Sequence, residues 1–224
     1  MRRSRAVVIS AAASVVLCLI PSASSICDVH TTRIAPAQEP LSVGCTFYVV
    51  YPGGCQIRDG ELIAWHGYNI GASSRAWVVW SLESIPDLAQ VDSVEIELYI
   101  FPSDDPYEPD HQTQYRRMTV HPSTAPVCED LYDLLQGEVY AEHPTGPSEG
   151  LQRHVLGGSV VADVEHQLVH GDWFSIAVTG DPDRMGMAGF SGWGAGGPEL
   201  IVTWVDVSPS EATGWGRIKA LYRS

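Results

Sequence analysis

The fold class is decided by two consecutive stretches of the sequence, Arg75-Ala-Trp-Val-Val-Trp-Ser-Leu-Glu-Ser-Ile-Pro86 and Val91-Asp-Ser-Val-Glu-Ile-Glu-Leu-Tyr-Ile-Phe101. The first contains a continuous apolar run. The second alternates strictly, with one face made by Val94, Ile96, Leu98 and Ile100 and the other by Ser93, Glu95, Glu97 and Tyr99. Alternation with a period of two is typical of a strand that buries one face. The two stretches therefore predict neighbouring antiparallel strands of an all-β domain.

Short strand-like segments recur over residues 44–206, which we take as one domain. They are rich in Val, Ile, Tyr and Trp and are bounded by Gly, Pro, Asp or Ser; they cover residues 46–51, 62–70, 76–82, 93–101, 115–121, 152–156, 173–179, 188–190 and 199–205. Residues 126–136 and 161–169 have apolar side chains at helical spacing. We predict an antiparallel β-sandwich or jelly roll, with these short helices over its ends and residues 26–43 as a polar lead-in.

The N-terminus has the pattern of a secretory signal peptide. Basic residues end at Arg5, an apolar run covers residues 6–20, and small residues follow up to Ser25. The apolar run is shorter than the ~20 residues that a membrane-spanning helix needs. Residues 1–25 therefore predict a secreted or cell-surface protein without a transmembrane segment.

The C-terminus, residues 207–224, differs in composition from the rest of the chain. A linker-like stretch precedes Trp215-Gly-Arg-Ile-Lys-Ala-Leu-Tyr-Arg223, which is the only basic cluster beyond the signal. It looks like a short sorting or anchoring segment of an exported bacterial protein. A final strand or helical turn that docks on the domain is the alternative.

The charge balance limits the kind of partner. The chain has 27 acidic and 13 basic residues and a formal net charge of −14. Removal of the signal takes away three arginines and no acid, which changes the net charge to −17. An acidic protein of this kind is disfavoured as a partner of nucleic acids and anionic membranes.

Four cysteines lie beyond the signal: Cys27, Cys45, Cys55 and Cys128. An even number in an exported chain predicts two disulfides. We expect Cys45 to pair with Cys55, because Pro52-Gly-Gly54 can turn the chain between them, and Cys27 then pairs with Cys128. Free buried thiols are the alternative, and the absence of a CxxC pair disfavours a zinc site.

The stretch from Arg75 to Phe101 resembles the DNRLRE-type domains of secreted bacterial proteins. The matching positions are Arg75, Leu82, Ser84, Ile85, Pro86 and the pair Leu98-Tyr99, whereas Trp80-Ser81 stands where the family has Phe-Asp. Residues 160–178 and 190–204 are similar to later segments of the family, so the resemblance covers about residues 45–205. It implies a non-catalytic jelly-roll sandwich that takes polysaccharides or cell-surface components as partners, since some relatives bind carbohydrates, alginate included.

Aromatic and basic residues supply the candidate ligand-binding positions. Sugar-binding surfaces need exposed rings, and Trp77, Trp80 and Trp193 are the candidates. Strand alternation sets Trp77 and Trp80 on opposite faces, so that one could be core and the other exposed; Trp193 lies in a Gly-rich loop and could instead fold back onto the core. Arg116 and Arg117 could contact an acidic sugar, and an ordinary surface pair is the alternative.

An acidic loop supplies the candidate metal site. Asp104, Asp105, Glu108 and Asp110 lie close together in the sequence, and hard carboxylate oxygens suit calcium. The spacing is not that of an EF-hand, so a solvated turn is the alternative. Calcium is the one cofactor that the sequence suggests.

The sequence contains no convincing catalytic motif. Gly189-Phe-Ser-Gly-Trp-Gly194 has Trp193 where a nucleophile elbow needs Gly, and Gln167 stands between His166 and His170 where a zinc-protease helix needs Glu. We therefore expect a non-enzymatic protein. The alternatives are an extracellular glycan hydrolase, which requires two carboxylates close together in space, and a surface subunit that self-assembles through a sheet face or edge.

Overall fold

Twelve strands and two α-helices account for most of the residues that the computed structural model describes, which are 28–49, 53–67, 72–101, 112–125, 127–144, 150–180, 186–190 and 197–206. The strands are β1 (Val29–Ile34), β2 (Val43–Val49), β3 (Gly54–Asp59), β4 (Leu62–Gly67), β5 (Ala72–Ser81), β6 (Gln90–Phe101), β7 (Gln112–Arg117), β8 (Val139–Pro144), β9 (Gly150–Leu156), β10 (Trp173–Gly180), β11 (Gly186–Phe190) and β12 (Glu199–Val205). The helices are α1 (Cys128–Leu134) and α2 (Val160–His170). Outside the described residues lie the predicted signal, Cys27, the acidic loop from Asp104 to Asp110, Trp193 and the C-terminal segment 207–224.

The strands form two antiparallel sheets. The first sheet has the order β1–β12–β6–β9, and the second has the order β3–β2–β5–β10–β7–β8. β4 pairs with β5 of the second sheet, β11 pairs with β6 of the first sheet, and β4 and β11 pair with each other. Hydrogen bonding therefore continues from one sheet to the other. The predicted all-β antiparallel sandwich with two short helices is confirmed.

The main core lies between the facing surfaces of the two sheets. In β6 the predicted alternation is confirmed, because Val94, Ile96, Leu98 and Ile100 are at most 1% exposed. They pack in one cluster with Val78 and Trp80 of β5 and with apolar residues of α2. Each such side chain contributes about 1.5–3 kcal/mol when it is fully buried. We call the sheet surfaces that meet at this core the inner faces and the opposite surfaces the outer faces.

A second, smaller core covers part of the outer face of the second sheet. Trp77 and Val79 of β5 pack there against Leu131 of α1 and the following Leu135. The two helices were expected over the ends of the sandwich, but α1 lies on this outer face. Neither described helix is long and apolar enough to cross a membrane.

Three strands at sheet edges were missed, whereas the edge strand β9 was predicted. β1 falls in the stretch that was predicted as a lead-in, yet it pairs with β12 along its whole length. Only Ile34 of this strand is buried, and the other side chains are exposed or half-buried. The side chains that alternate along β1 are therefore mostly polar. β3 and β8 each pair with one strand only. Edge strands bury little, and the apolar signal in their sequences is correspondingly weak.

The disulfide joins Cys55 of β3 to Cys128, the first residue of α1, so the predicted pairing is wrong. Cys45 is a free, buried thiol in the main core. In the β2–β3 ladder Cys45 lies opposite Arg58, whereas Cys55 lies opposite Tyr48, three residues further along. Three residues of strand span ~10 Å, beyond the ~7 Å that a disulfide can bridge between Cα atoms. The turn between the two cysteines therefore sets them out of register.

Non-reducing peptide mapping should find one cross-linked peptide that contains Cys55 and Cys128. The thiol of Cys45 should react with an alkylating reagent only after unfolding, because it is buried in the main core. The double variant Cys55→Ser/Cys128→Ser should lose about 2–4 kcal/mol of unfolding free energy, since the cross-link closes a long loop. Cys45→Ala should keep the cross-link, and a Cys45–Cys55 peptide would contradict the arrangement.

Trp77 occupies the space that a side chain at position 44 would need. Gly44 of β2 lies directly opposite Trp77 of β5. A Cβ atom at position 44 would lie 2.9 Å from both Cε2 and Cη2 of the Trp77 indole and closer still to Cζ2. The indole is also held by its Nε1 atom, which donates a hydrogen bond to the carbonyl oxygen of Leu41 at 2.7 Å. A glycine is therefore required here for space.

We predict that Gly44→Ala lowers the free energy of unfolding by about 1–3 kcal/mol, because the indole or β2 must move to admit the methyl group. Equilibrium urea denaturation measures the loss. Gln56→Ala changes an exposed position of β3 and serves as the control, with an expected effect within ~0.5 kcal/mol. Equal stability of Gly44→Ala and the wild type would contradict the steric argument.

Candidate functional site

Two of the predicted sugar-stacking residues are buried. Trp77 and Trp80 lie on opposite faces of β5 as expected, but both are 0% exposed. Trp77 belongs to the small outer core, and Trp80 belongs to the main core, where its Nε1 atom donates to the carbonyl oxygen of Pro198 at 3.1 Å. The expectation that one of them is exposed is wrong, because α1 covers the outer face of β5 at Trp77. Trp193 lies outside the described residues.

The predicted pair Arg116 and Arg117 is split between two environments. They are successive residues of β7, so their side chains leave the strand on opposite faces. Arg117 forms an ion pair with Asp163 of α2, with 2.5 Å between Nη2 and Oδ1. Asp163 also accepts a hydrogen bond from the hydroxyl of Tyr140 at 2.9 Å. Arg117 therefore joins α2 to the second sheet, whereas Arg116 is not ion-paired with any described carboxylate.

Arg116 lies in a group of polar and aromatic side chains on the outer face of the second sheet, next to α1. We call this group the arginine–tyrosine patch; its members are Tyr48, Ser73, Arg75, Gln114, Arg116 and Tyr132. Ser73 and Gln114 are each 8% exposed, whereas the two arginines and two tyrosines are half-buried. The patch therefore presents guanidinium groups and rings above a polar sheet surface.

Arg75 of β5 is held by Tyr132 of α1. The guanidinium carbon of Arg75 lies 3.7 Å from the centre of the Tyr132 ring, and Nη1 donates to the carbonyl oxygen of Tyr132 at 2.7 Å. The hydroxyl of Tyr132 is hydrogen-bonded to Ser73 Oγ at 2.6 Å, and its ring stacks on Tyr48 at 5.5 Å between centroids. A cation–π contact of this kind contributes about 0.5–2 kcal/mol. Four side chains thus fix one another's positions.

Arg116 of β7 is held from the other side of β10. Its Nε atom donates to Gln114 Oε1 at 3.1 Å and to Thr179 Oγ1 at 3.2 Å, and Nη1 donates to the carbonyl oxygen of Gly137 at 2.9 Å. The amide of Gln114 in turn donates to Glu142 Oε1 at 2.7 Å. The carboxylate of Glu142 is therefore bonded to Gln114, and Gln114 is bonded to the guanidinium of Arg116.

The two arginines of the patch differ from the other arginines that the structure describes. Arg33, Arg58, Arg117 and Arg153 each form an ion pair with a carboxylate. Within the described ranges, Arg75 and Arg116 form hydrogen bonds to neutral groups only. Burial lowers the pKa of Arg75, and the charge of Arg116 lowers it further, while Tyr132 and Asp133 act in the opposite direction. The patch is therefore a partly desolvated positive region in an acidic chain.

The disulfide helps to place the patch. Cys128 begins α1, and its bond to Cys55 ties this end of the helix to β3. Tyr132 follows one helical turn later, where it reaches Arg75 and Ser73. A cross-link at the start of such a short helix limits the positions that Tyr132 can take.

A second polar group lies inside the sandwich and is not accessible to a substrate. The Tyr115 hydroxyl is hydrogen-bonded to His154 Nδ1 at 2.6 Å, and His154 Nε2 is 3.1 Å from Gln152 Oε1. A neutral imidazole satisfies both contacts when the tyrosine hydroxyl donates to Nδ1 and the protonated Nε2 donates to Gln152. The His143 ring stacks on His154 at 4.1 Å. Burial, and then the neighbouring His143, lower the pKa of His154 to about 4.

The described residues hold no group of three or more potential metal ligands. His166 and His170 of α2 stack at 4.3 Å, and Nδ1 of His170 donates to the carbonyl oxygen of His166 at 2.8 Å. One nitrogen of this pair is therefore already occupied by the helix backbone. The acidic loop lies outside the described residues, so calcium binding stays a prediction.

A scan against models of known protein families and a search of curated proteins find no match to this chain. The DNRLRE resemblance therefore stays a prediction. The class of protein that the fold defines is an antiparallel β-sandwich with a disulfide-anchored helix on one outer face.

Sequence reasoning did not single out Arg75, Tyr48 or Tyr132 as site residues. Arg75 lies two residues before Trp77 in β5, so both side chains lie on the same face of the strand. Arg75 could therefore have been assigned to the outer face once Trp77 was. The contact with Tyr132 joins residues 57 positions apart and depends on where α1 docks. No local pattern in the sequence contains that information.

We predict that the free energy of unfolding falls as the pH decreases from ~6.5 to ~4, in part because of His154. Its folded-state pKa is lowered to about 4, so between these values the unfolded chain binds a proton that the folded protein does not. His154→Gln should reduce the loss between about pH 7 and pH 4 by the order of 1–3 kcal/mol in urea denaturation. His166→Gln, at an exposed position of α2, should keep the wild-type pH dependence. An unchanged pH dependence in His154→Gln would refute the assignment.

Proposed function

We propose that this protein is an exported, non-catalytic β-sandwich that binds an extracellular polysaccharide through the arginine–tyrosine patch. The observation that carries the proposal is the patch itself, where rings and hydrogen-bonding groups lie side by side on one outer sheet face. Polysaccharide binding at a cell surface or in an extracellular matrix is the role that this arrangement supports best.

The chemistry of the patch suits a sugar. Sugar rings present C–H groups that pack on aromatic faces and hydroxyl groups that need donors and acceptors in fixed positions. Tyr48 supplies a half-buried ring and Arg75 supplies N–H donors, and Tyr132, which contacts both, holds them in place. Because hydrogen bonds and stacking hold these groups in place, little side-chain freedom is lost on binding.

Export is supported by two independent features. The Cys55–Cys128 disulfide is typical of proteins that fold in oxidising compartments. The N-terminal pattern of basic, apolar and small residues is that of a secretory signal. The DNRLRE resemblance of residues 45–205 supports the same class of protein.

A binding role is favoured over hydrolysis by the position of the acid–base groups. Tyr115 is 0% and His154 is 7% exposed, so the described pair with the strongest pKa perturbation cannot reach a glycan. General acid–base catalysis needs a group within hydrogen-bond reach of the substrate. This pair is better explained as a satisfied polar contact within the core.

The experiment is a binding assay of the protein against a panel of neutral, carboxylated and sulfated polysaccharides, with calcium and with a chelator. We expect saturable binding to at least one member, and Tyr132→Ala should weaken it about tenfold or more, since both the ring and its contacts to Arg75 and Ser73 are lost. Tyr99→Ala removes a half-buried tyrosine from the outer face of the first sheet and is the matched control.

Each result has a defined meaning. Binding that Tyr132→Ala weakens and Tyr99→Ala leaves unchanged supports the patch as the binding site. Equal loss in both variants, or no binding to any polysaccharide, contradicts the proposal. Calcium-dependent binding, together with a melting temperature that calcium raises, would support the predicted calcium loop; independence from calcium and chelator would remove it.

A further inference from the structure

We propose that the arginine–tyrosine patch is an anion-binding site, and that the ligand it takes is a polysaccharide whose sugars carry carboxylate or sulfate groups. The inference rests on the proposed polysaccharide-binding function and adds the chemical class of the ligand. It is carried by two neighbouring guanidinium groups to which no described carboxylate is bonded.

Arg75 has donors to spare. A guanidinium carries five N–H donors. Within the described part of the chain, the side chain of Arg75 makes one hydrogen bond, from Nη1 to the carbonyl oxygen of Tyr132, while the Tyr132 ring covers one side of its plane. The remaining N–H groups form the planar fork that binds a carboxylate or sulfate through two parallel hydrogen bonds.

The two arginines of the patch are placed so that their positive charges act on each other. Arg75 and Arg116 lie on β5 and β7, the strands on either side of β10, and their side chains leave the same outer face. Burial and the charge of Arg116 disfavour the charge on Arg75, while Tyr132 and Asp133 favour it. Burial of a charge without a partner is unfavourable, and an anion bonded to Arg75 would reduce that cost.

Carboxylates are plentiful in this chain, yet they are placed elsewhere. Glu142 is bonded to Gln114 and reaches Arg116 only through that amide. Asp133 follows Tyr132 in α1 and acts on Arg75 from a greater distance than an ion pair. A chain with 27 acidic residues thus leaves these two arginines without a directly bonded carboxylate among the described residues.

The outer face of the first sheet provides the contrast. There, Nη1 of Arg33 lies 2.6 Å from carboxylate oxygens of both Glu97 and Glu199, and Arg153 lies 2.5 Å from Glu95. Both arginines of that face are therefore neutralised from within the protein. Among the described residues, the two arginines of the patch have no ion pair of this kind.

The test compares equal changes of charge on the two outer faces. Arg75→Gln and Arg116→Gln should each weaken binding of the protein to a polyuronate or a sulfated glycan about tenfold or more. Arg33→Gln is the matched control and should bind like the wild type in the same buffer. Polyuronate and sulfated glycan are assayed separately, so the arm that binds identifies the anionic group. Urea denaturation of each variant checks that it is folded.

A second measurement avoids dependence on the variants. Glucuronate and inorganic sulfate are titrated into the wild-type protein, with glucose as the neutral counterpart of glucuronate, and the melting temperature is recorded. At least one anion should raise the melting temperature saturably and compete with the glycan, whereas glucose should do neither.

The outcomes separate this inference from the proposed function. Binding of a neutral glycan that depends on Tyr132 but not on either arginine would leave the proposed function intact and overturn the anion site. An equal loss of affinity in Arg33→Gln would also overturn it, since the effect would then be one of net charge. Absence of binding to every polysaccharide would overturn both.

Discussion

Burial of β5 on both faces is the constraint on which the rest of the structure depends. Trp80 points into the main core between the sheets, and Trp77 points into the small core under α1. A strand in an antiparallel sandwich commonly leaves one face in water. In this protein Trp77 places a large apolar side chain on the outer face, and Leu131 of α1 and the adjoining Leu135 pack in the same cluster with it. Burial of the outer face of β5 and the position of α1 are therefore linked.

The position of α1 in turn sets the chemistry beside it. The helix is short, and isolated helices of this length are marginal in water, so it depends on its anchors. One anchor is the disulfide to Cys55, and another is the set of contacts that Tyr132 makes with Arg75 and Ser73. The same contacts that fasten the helix also orient the guanidinium of Arg75. The contacts of Tyr132 therefore both stabilise α1 and determine the geometry of the candidate site.

The sequence predicted those parts of the fold that are encoded locally. Every second side chain of β6 from Val94 to Ile100 is buried, as the alternation predicts. Both helices lie where the spacing of apolar residues indicates them. The edge strand β1 was missed because only Ile34 is buried, and the Cys45–Cys55 pairing failed because register is a property of two strands together. The candidate site depends on contacts between distant positions, such as Arg75 with Tyr132, and no window of sequence contains them.

Charge placement is the remaining step that connects the fold to the proposed function. On the outer face of the first sheet, cross-strand pairs such as Arg33 with Glu97 neutralise each arginine. Exposed ion pairs of this kind contribute little to the free energy of unfolding. The absence of such pairs among the described residues of the arginine–tyrosine patch therefore costs the fold little stability. At the patch the arginines are partly buried and are bonded to an amide, a hydroxyl and backbone carbonyls instead. These partners orient a guanidinium without neutralising it, which is the condition under which it can still bind an external anion.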